Sequence, residues 1–163
     1  IQPQNSLLSC KVKVNSGAEF SISVKNNGNG TDFRGFVIIQ NRANVKFNVD
    51  AHHLSKNTGI FIKTRLVAYK NSVSELNGTA HIYKYCEDSR SGIEFSALAD
   101  ENAKIIFRPQ QNISAIPECA AHSANIAHYA APQIEYLHQS GLTDSEIHNI
   151  LSEAFLNDTD LLK

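Results

Sequence analysis

The stretch Phe33–Gln40 (FRGFVIIQ) restricts the fold more than any other part of this sequence. After its first two residues it carries apolar or small side chains on both faces until the final glutamine. A strand with one face in water would instead alternate polar and apolar residues. We therefore predict that this stretch forms an interior β-strand.

Shorter alternating segments lie on both sides of this strand. Ser9–Val14 and Glu19–Lys25 alternate polar and apolar residues, as half-buried strands do. Further candidate strands, separated by glycine- and asparagine-containing turns, cover residues 45–49, 60–69, 79–85, 93–98 and 104–107. Seven or eight short strands at this spacing predict a mainly β protein, built as an antiparallel β-sandwich of the Ig-like type.

The composition changes after Pro109. Residues 117–140 are rich in alanine and histidine, with prolines placed where helices could start. Thr143 and Glu146 have the spacing of a capping box, and apolar residues follow at helical spacing. We predict a helix over 143–156, a β-sandwich domain over 1–110, and an α-helical C-terminal extension over 111–163. The extension would pack on the sandwich or on a partner.

Three segments in this order resemble the reelin-type (reeler) domain, a secreted β-sandwich module. They are Phe33–Gln40, Val67–Ser72 (VAYKNS) and the strand that carries Gly92, Phe95 and Ala97. The resemblance covers about residues 10–108. Within the first segment, Gly35 would allow close sheet packing, Phe33 and Phe36 would fill the core, and Arg34 would project to the opposite side. The chain lacks the tryptophan that this family usually carries, and three cysteines cannot form its two disulfides.

Other features fit a secreted glycoprotein. The chain has four acceptor sequons for N-glycosylation, at Asn29, Asn77, Asn112 and Asn157. In an oxidising compartment two of the three cysteines would form a disulfide. The candidates are Cys10, Cys86 and Cys119, and the sequence does not choose among the three pairings. The remaining thiol would be either a small buried hydrophobe or the site of an intermolecular bridge.

No residue pattern predicts catalysis, so we expect that the chain is not an enzyme, with no metal and no cofactor. The adjacent His52 and His53 would point to opposite faces of a strand and could not bind one ion together. A site built from the four C-terminal histidines has little support from their spacing; these are His122, His128, His138 and His148. The net charge of −1 excludes electrostatic capture of nucleic acid, and no apolar run is long enough to span a bilayer.

The sequence therefore predicts a secreted, non-catalytic binding module. By resemblance, its partners would be an extracellular protein, a matrix glycan or a microbial surface component in innate immunity. Basic and aromatic side chains predicted to face outward are the candidate binding residues: Arg34, Lys63, Arg65, Tyr69, Tyr83 and Lys84. One alternative is a carrier whose cavity holds a small apolar ligand, lined by Phe20, Ile38, Phe61, Phe95 and Phe155. Another is an interaction subunit that self-associates through helix 143–156.

Overall fold

The computed structural model describes residues 5–157, and within this range the chain forms nine β-strands and two α-helices. The strands are β1 (Ser6–Val14), β2 (Ala18–Asn26), β3 (Asp32–Asn41), β4 (Asn44–His53), β5 (Gly59–Ala68), β6 (Val73–Ile82), β7 (Arg90–Ala99), β8 (Lys104–Ile113) and β9 (Cys119–His128). The helices are α1 (Ala131–Gln139) and α2 (Asp144–Asn157).

Successive strands alternate between two sheets. Sheet A has the order β1-β3-β5-β7-β9 and sheet B the order β2-β4-β6-β8. Every pairing is parallel, with Asp32 opposite Gly59 and Gly59 opposite Arg90 in sheet A. Since each strand pairs with the strand one full coil later, the chain winds as a β-solenoid with roughly 30 residues per coil. The predicted antiparallel sandwich is therefore wrong. Polar and apolar residues alternate in both architectures, because each buries one face of every strand.

Inward-facing side chains of successive coils stack in columns and fill the space between the sheets. In sheet A, Val37 lies opposite Thr64 and Thr64 opposite Phe95, and all three are buried. In sheet B, Phe20 lies opposite Phe47, with the ring centroids 4.7 Å apart. These columns supply the apolar burial that holds the coils together.

The stretch Phe33–Gln40 lies in β3, which pairs with β1 on one side and β5 on the other. It is an interior strand, as predicted, but its neighbours are parallel. Gly35 points inward and is buried, while Arg34 is exposed on the outer face. The prediction that both Phe33 and Phe36 fill the core is wrong for Phe36. The two residues are three apart, so Phe36 lies on the outer face while Phe33 packs against the core.

Buried asparagines secure the corners where the chain passes from one sheet to the other. The Asn26 amide donates to the carbonyl oxygens of Thr31 (2.9 Å) and Gly59 (3.2 Å). The Asn41 amide donates to the Val73 carbonyl oxygen at 2.9 Å. Each corner thus gives backbone groups of the next coil a hydrogen-bond partner where the strand ladder ends.

The C-terminal part matches its prediction only in its last helix and differs from it before that helix. Residues 119–128 form β9 rather than a helix, and the predicted domain boundary after residue 110 falls within β8. The helix predicted over 143–156 is confirmed as α2. Its capping box is formed, with the Thr143 amide 2.9 Å from the Glu146 carboxylate. Leu156 and Phe155 of α2 pack with Val67 on the outer face of sheet A.

Candidate functional site

The six predicted binding residues do not share one surface. Three lie on the outer face of sheet A: Arg34, Lys63 and Arg65. Tyr69 follows β5, whereas Tyr83 and Lys84 follow β6 of the other sheet. The sequence therefore placed most of these side chains outward correctly, but the structure does not bring them together.

Most of these residues have structural contacts on the solenoid wall. The Arg34 guanidinium lies 5.6 Å from the centre of the Phe61 ring, and Lys63 pairs with Glu94 at 3.7 Å. Arg65 donates to the Phe155 carbonyl oxygen and lies over the Phe155 ring, so it fastens α2 to sheet A. These contacts give the side chains a packing role in the fold.

The aromatic members also have partners. The Arg42 guanidinium lies 3.8 Å from the centre of the Tyr69 ring, and Tyr69 packs in the cluster beneath α2. The Tyr83 hydroxyl is 2.9 Å from Nδ1 of His52, and the Lys84 ammonium lies 5.1 Å from the Tyr85 ring centre. Binding by any of these residues stays a prediction.

The four sequons occupy different surroundings. Asn29 is exposed in the turn between β2 and β3, and Asn112 is exposed on β8. Asn77 lies within β6, where its amide donates to Asn48 Oδ1 at 3.0 Å. The sequon at Asn157 extends into residues outside the described range.

The cavity proposed for an apolar carrier is not formed by the residues predicted to line it. Phe20 and Phe95 are packed into the core between the sheets. Ile38 and Phe155 belong instead to the cluster beneath α2, and Phe61 lies on the outer face of sheet A, against Gly92. The five side chains are therefore divided among three places.

The three cysteines are free thiols, so the predicted disulfide is absent from the described residues. Cys86 is buried, and its thiol donates to the His53 carbonyl oxygen at 3.1 Å. Burial raises the pKa of the Cys86 thiol, which disfavours the reactive thiolate. Cys10 is half-buried on β1, and Cys119 is exposed at the start of β9. Cys119 is therefore the most accessible of the three thiols.

Asp50, His52 and His81 form a cluster on the outer face of sheet B. Each offers one potential ligand atom, and these atoms lie within 4.8 Å of one another. The parallel register of β4 and β6 places His52 directly opposite His81. Sequence reasoning missed this cluster because it compared His52 only with its neighbour His53. His53 does point to the opposite face, as predicted, and is buried in the core.

Burial also changes the protonation of His53. Its side chain is fully buried, and loss of hydration lowers the pKa of the imidazole to about 4. Nδ1 lies 2.8 Å from the Thr58 hydroxyl, while Nε2 is buried and has no hydrogen-bond partner. His53 is therefore a neutral structural residue of the core at neutral pH.

The C-terminal histidines do not assemble into one site. His148 lies 3.7 Å from Asp100, and its ring stacks on Tyr129 with 4.8 Å between centroids. His138 instead pairs with Asp144 at 2.9 Å. Within residues 5–157, no group of three potential metal ligands contains His122, His128, His138 or His148.

Comparison with known families now places this fold. Residues 9–155 match the model described as SUF system FeS cluster assembly, SufBD core domain. No curated protein matches the chain significantly. The matched range begins within β1 and ends within α2, so it covers nearly all of the solenoid and of the packed helix.

This match overturns the reeler resemblance and the conclusions drawn from it. The β-solenoid and the family match both exclude a reeler sandwich. The predicted extracellular binding function and innate-immunity role are wrong, since the match is to a module of iron–sulfur cluster assembly. Secretion is likewise contradicted, because that assembly takes place inside cells. SufBD proteins function in protein complexes rather than by binding extracellular glycans. No helix within residues 5–157 is long and apolar enough to cross a membrane.

Proposed function

The chain belongs to the SufBD core domain family, and we propose on that basis that it is a non-catalytic scaffold in iron–sulfur cluster assembly. The single observation that carries this proposal is the extent of the match, from β1 to α2. The nascent cluster would be a substrate that the scaffold holds and passes on. The chain would work as one subunit of a protein complex, as members of this family do.

Cys119 is the residue best placed to hold such a cluster. Iron–sulfur clusters are bound chiefly by cysteine thiolates. Of the three thiols, that of Cys119 is exposed, whereas Cys10 is half-buried and Cys86 is buried with a raised pKa. Cys119 also begins β9, which pairs with β7 on one side and has no other strand beside it among the described residues.

Cys119 would bind the cluster together with groups from another chain. A cluster is usually held by four ligands. Within residues 5–157, no cysteine belongs to a group of three potential ligands close enough to bind one ion. The open side of β9 exposes backbone donors and acceptors that a second chain could pair with. A partner docked there would place its own ligands beside Cys119.

Anaerobic reconstitution tests this proposal. The chain is incubated with Fe(II) and sulfide, desalted, and assayed for bound iron, acid-labile sulfide and visible charge-transfer absorbance. We expect the wild-type chain to retain iron and sulfide and to associate, because a bridging cluster recruits the thiol of a second copy. Cys119→Ser should abolish retention and association. Cys10→Ser is the matched control and should retain both.

Equal iron and sulfide loading of the wild-type chain and Cys119→Ser would refute the role of Cys119. A wild-type chain that retains no cluster, even when mixed with other subunits of its complex, would refute the scaffold function itself.

A further inference from the structure

The cluster of Asp50, His52 and His81 lies on the sheet opposite to that of Cys119. In-register pairing of β4 and β6 stacks the two imidazoles, with ring centroids 4.8 Å apart and planes 5° from parallel. Asp50 precedes His52 by two residues and so projects from the same face of the strand. Two imidazoles and a carboxylate thus converge on one patch of the solenoid wall.

Neighbouring polar groups hold one nitrogen of each ring. Nδ1 of His52 is 2.9 Å from the Tyr83 hydroxyl, and Nδ1 of His81 is 3.4 Å from the side-chain amide nitrogen of Asn112. When Nδ1–H of His52 donates to the tyrosine oxygen, Nε2 of that ring keeps its lone pair free. The Asn112 amide would support His81 in the same way once it turns its oxygen toward Nδ1. Metal-binding histidines are commonly oriented by a hydrogen bond of this kind on the second nitrogen.

We propose that Asp50, His52 and His81 bind a divalent first-row transition-metal ion, with Tyr83 and Asn112 as positioning residues. Two imidazoles with one carboxylate suit ions such as Zn²⁺, Co²⁺ or Fe²⁺, whereas Mg²⁺ and Ca²⁺ prefer oxygen ligands throughout. Water would occupy the remaining coordination positions. This inference is independent of the proposed function, because it uses neither a thiol nor a partner chain.

Binding requires the rings to move. Metal–nitrogen bonds of about 2.0–2.1 Å keep two nitrogens on one ion no more than about 4.2 Å apart. The ligand atoms, which lie within 4.8 Å of one another, must therefore draw closer by rotation of the side chains. Both imidazoles are only half-buried, so they can turn without disturbing the core. On binding, the two imidazole rings would no longer stack on each other, and their nitrogens would instead coordinate the ion.

Lys25 provides an electrostatic test of the same site. In-register pairing of β2 and β4 places Lys25 opposite His52, on the side away from His81. Its ammonium would repel a bound cation, while the Asp50 carboxylate would attract one. Removing the lysine charge should therefore strengthen binding, whereas removing the aspartate charge should weaken it.

Titration with Zn²⁺ by calorimetry, and with Co²⁺ by visible absorption, tests the site. The full chain is used with Cys10→Ser and Cys119→Ser, so that the accessible thiols cannot capture the ion. We expect one ion per chain and no competition from Mg²⁺. In this background His52→Gln, His81→Gln and Asp50→Asn should each weaken binding by at least about tenfold, and Tyr83→Phe by about tenfold. Lys25→Gln should bind more tightly.

His138→Gln is the matched control, because it removes a histidine that faces a carboxylate, Asp144, but belongs to no group of three potential ligands among the described residues. It should bind as the parent does. Circular dichroism identifies any variant that does not fold. The Zn²⁺ affinities of the remaining folded ligand variants then test the proposal. An absence of binding to the chain that carries Cys10→Ser and Cys119→Ser at micromolar Zn²⁺ would overturn the proposal. So would unchanged affinity in the folded ligand variants, or loss of binding in the control.

Discussion

Gly78 lies on the inner face of sheet B and Gly92 on the outer face of sheet A, so the two should respond differently to an added methyl group. Gly78 in β6 points inward, and a Cβ there would lie 2.8 Å from Cζ of Phe95 and 2.9 Å from Cγ2 of Ile93. Gly92 in β7 points outward, and its Cβ would lie 3.0 Å from Cδ1 of Phe61. The distances are similar, but the surroundings are not. Phe95 and Ile93 are buried, whereas Phe61 is half-buried on the outer face.

The difference in burial sets the magnitude. Carbon atoms in contact lie about 3.5–4.0 Å apart, so a methyl at Gly78 overlaps two side chains that have no space to move into. Overpacking of this kind costs about 1–3 kcal/mol, and replacing glycine by alanine returns about 0.4–1 kcal/mol through the unfolded chain. We therefore expect Gly78→Ala to lower the free energy of unfolding by roughly 1–2 kcal/mol. Gly92→Ala should leave it unchanged or slightly raised, because Phe61 can turn toward solvent.

Urea unfolding followed by circular dichroism compares the two variants directly. If the dependence of the unfolding free energy on urea concentration (the m value) is the same in both variants, a lower midpoint urea concentration for Gly78→Ala than for Gly92→Ala reports the difference in packing. If the two midpoints coincide, or if Gly92→Ala loses more stability, then the inner face is not close-packed at Gly78 and the argument fails.

Three further outcomes follow from other parts of the fold. In EDTA, acidification from pH 7 to 5 should lower the free energy of unfolding by about 2 kcal/mol, because the unfolded chain takes up a proton at His53 that the folded core excludes. Stability is thus lost as pH falls below about 6.5, and urea titrations of His53→Leu should show a correspondingly smaller decrease. Thr143→Ala removes the cap of α2 and should cost about 1 kcal/mol, measured by hydrogen exchange of the α2 amides. Leu156→Ala removes a buried side chain of α2 and should lower the free energy of unfolding by about 2–5 kcal/mol. Limited proteolysis should then cut α2 first. Equal protection of α2 in the variant and the wild-type chain would contradict the docking role of Leu156.

Local pattern located most strands but could not determine how they pair. The predicted strand Glu19–Lys25 lies within β2, and its alternation correctly assigns Phe20 to the inner face. Alternation records which face of a strand is buried and carries no information on the direction of its neighbour. The interior stretch Phe33–Gln40 led to the wrong prediction of an antiparallel sandwich for the same reason. An apolar strand between two others fits a parallel coil as well as a sandwich, so its likeness to a reeler motif did not specify the topology.

β9 shows where tertiary context overrides local preference. Its sequence, CAAHSANIAH, is rich in alanine, which favours a helix when the segment is considered alone. In the folded chain the segment lies beside β7, with Arg90 opposite Cys119 and Ala99 opposite His128. The ladder from β7 satisfies its backbone and sets it in the extended form. In contrast, α2 was predicted correctly because its cap and its apolar residues are local signals.

Stacking of equivalent positions explains why the candidate sites were hard to find from sequence. In a parallel in-register solenoid, residues about one coil apart in sequence become neighbours on the wall. His52 and His81 meet in this way. Arg90 even reaches Asp32, two coils earlier, across the intervening Gly59, with the side chains 2.8 Å apart. The sequence next to a residue does not show which distant residue stacks on it, so such pairs can be predicted only when the coil length is known.

Position along the solenoid then separates the two candidate sites. His52 lies on an inner coil, where β6 supplies the second imidazole from the same chain, so a metal site there can be complete in one subunit. Cys119 lies on β9, at the end of sheet A, and no further strand of the described chain stacks beyond it. A site at Cys119 must therefore draw its other ligands from outside the solenoid. Zn²⁺ binding by the His52 site should thus be independent of protein concentration, whereas cluster retention by Cys119 should rise with it. Concentration-dependent metal binding at the His52 site would contradict this division.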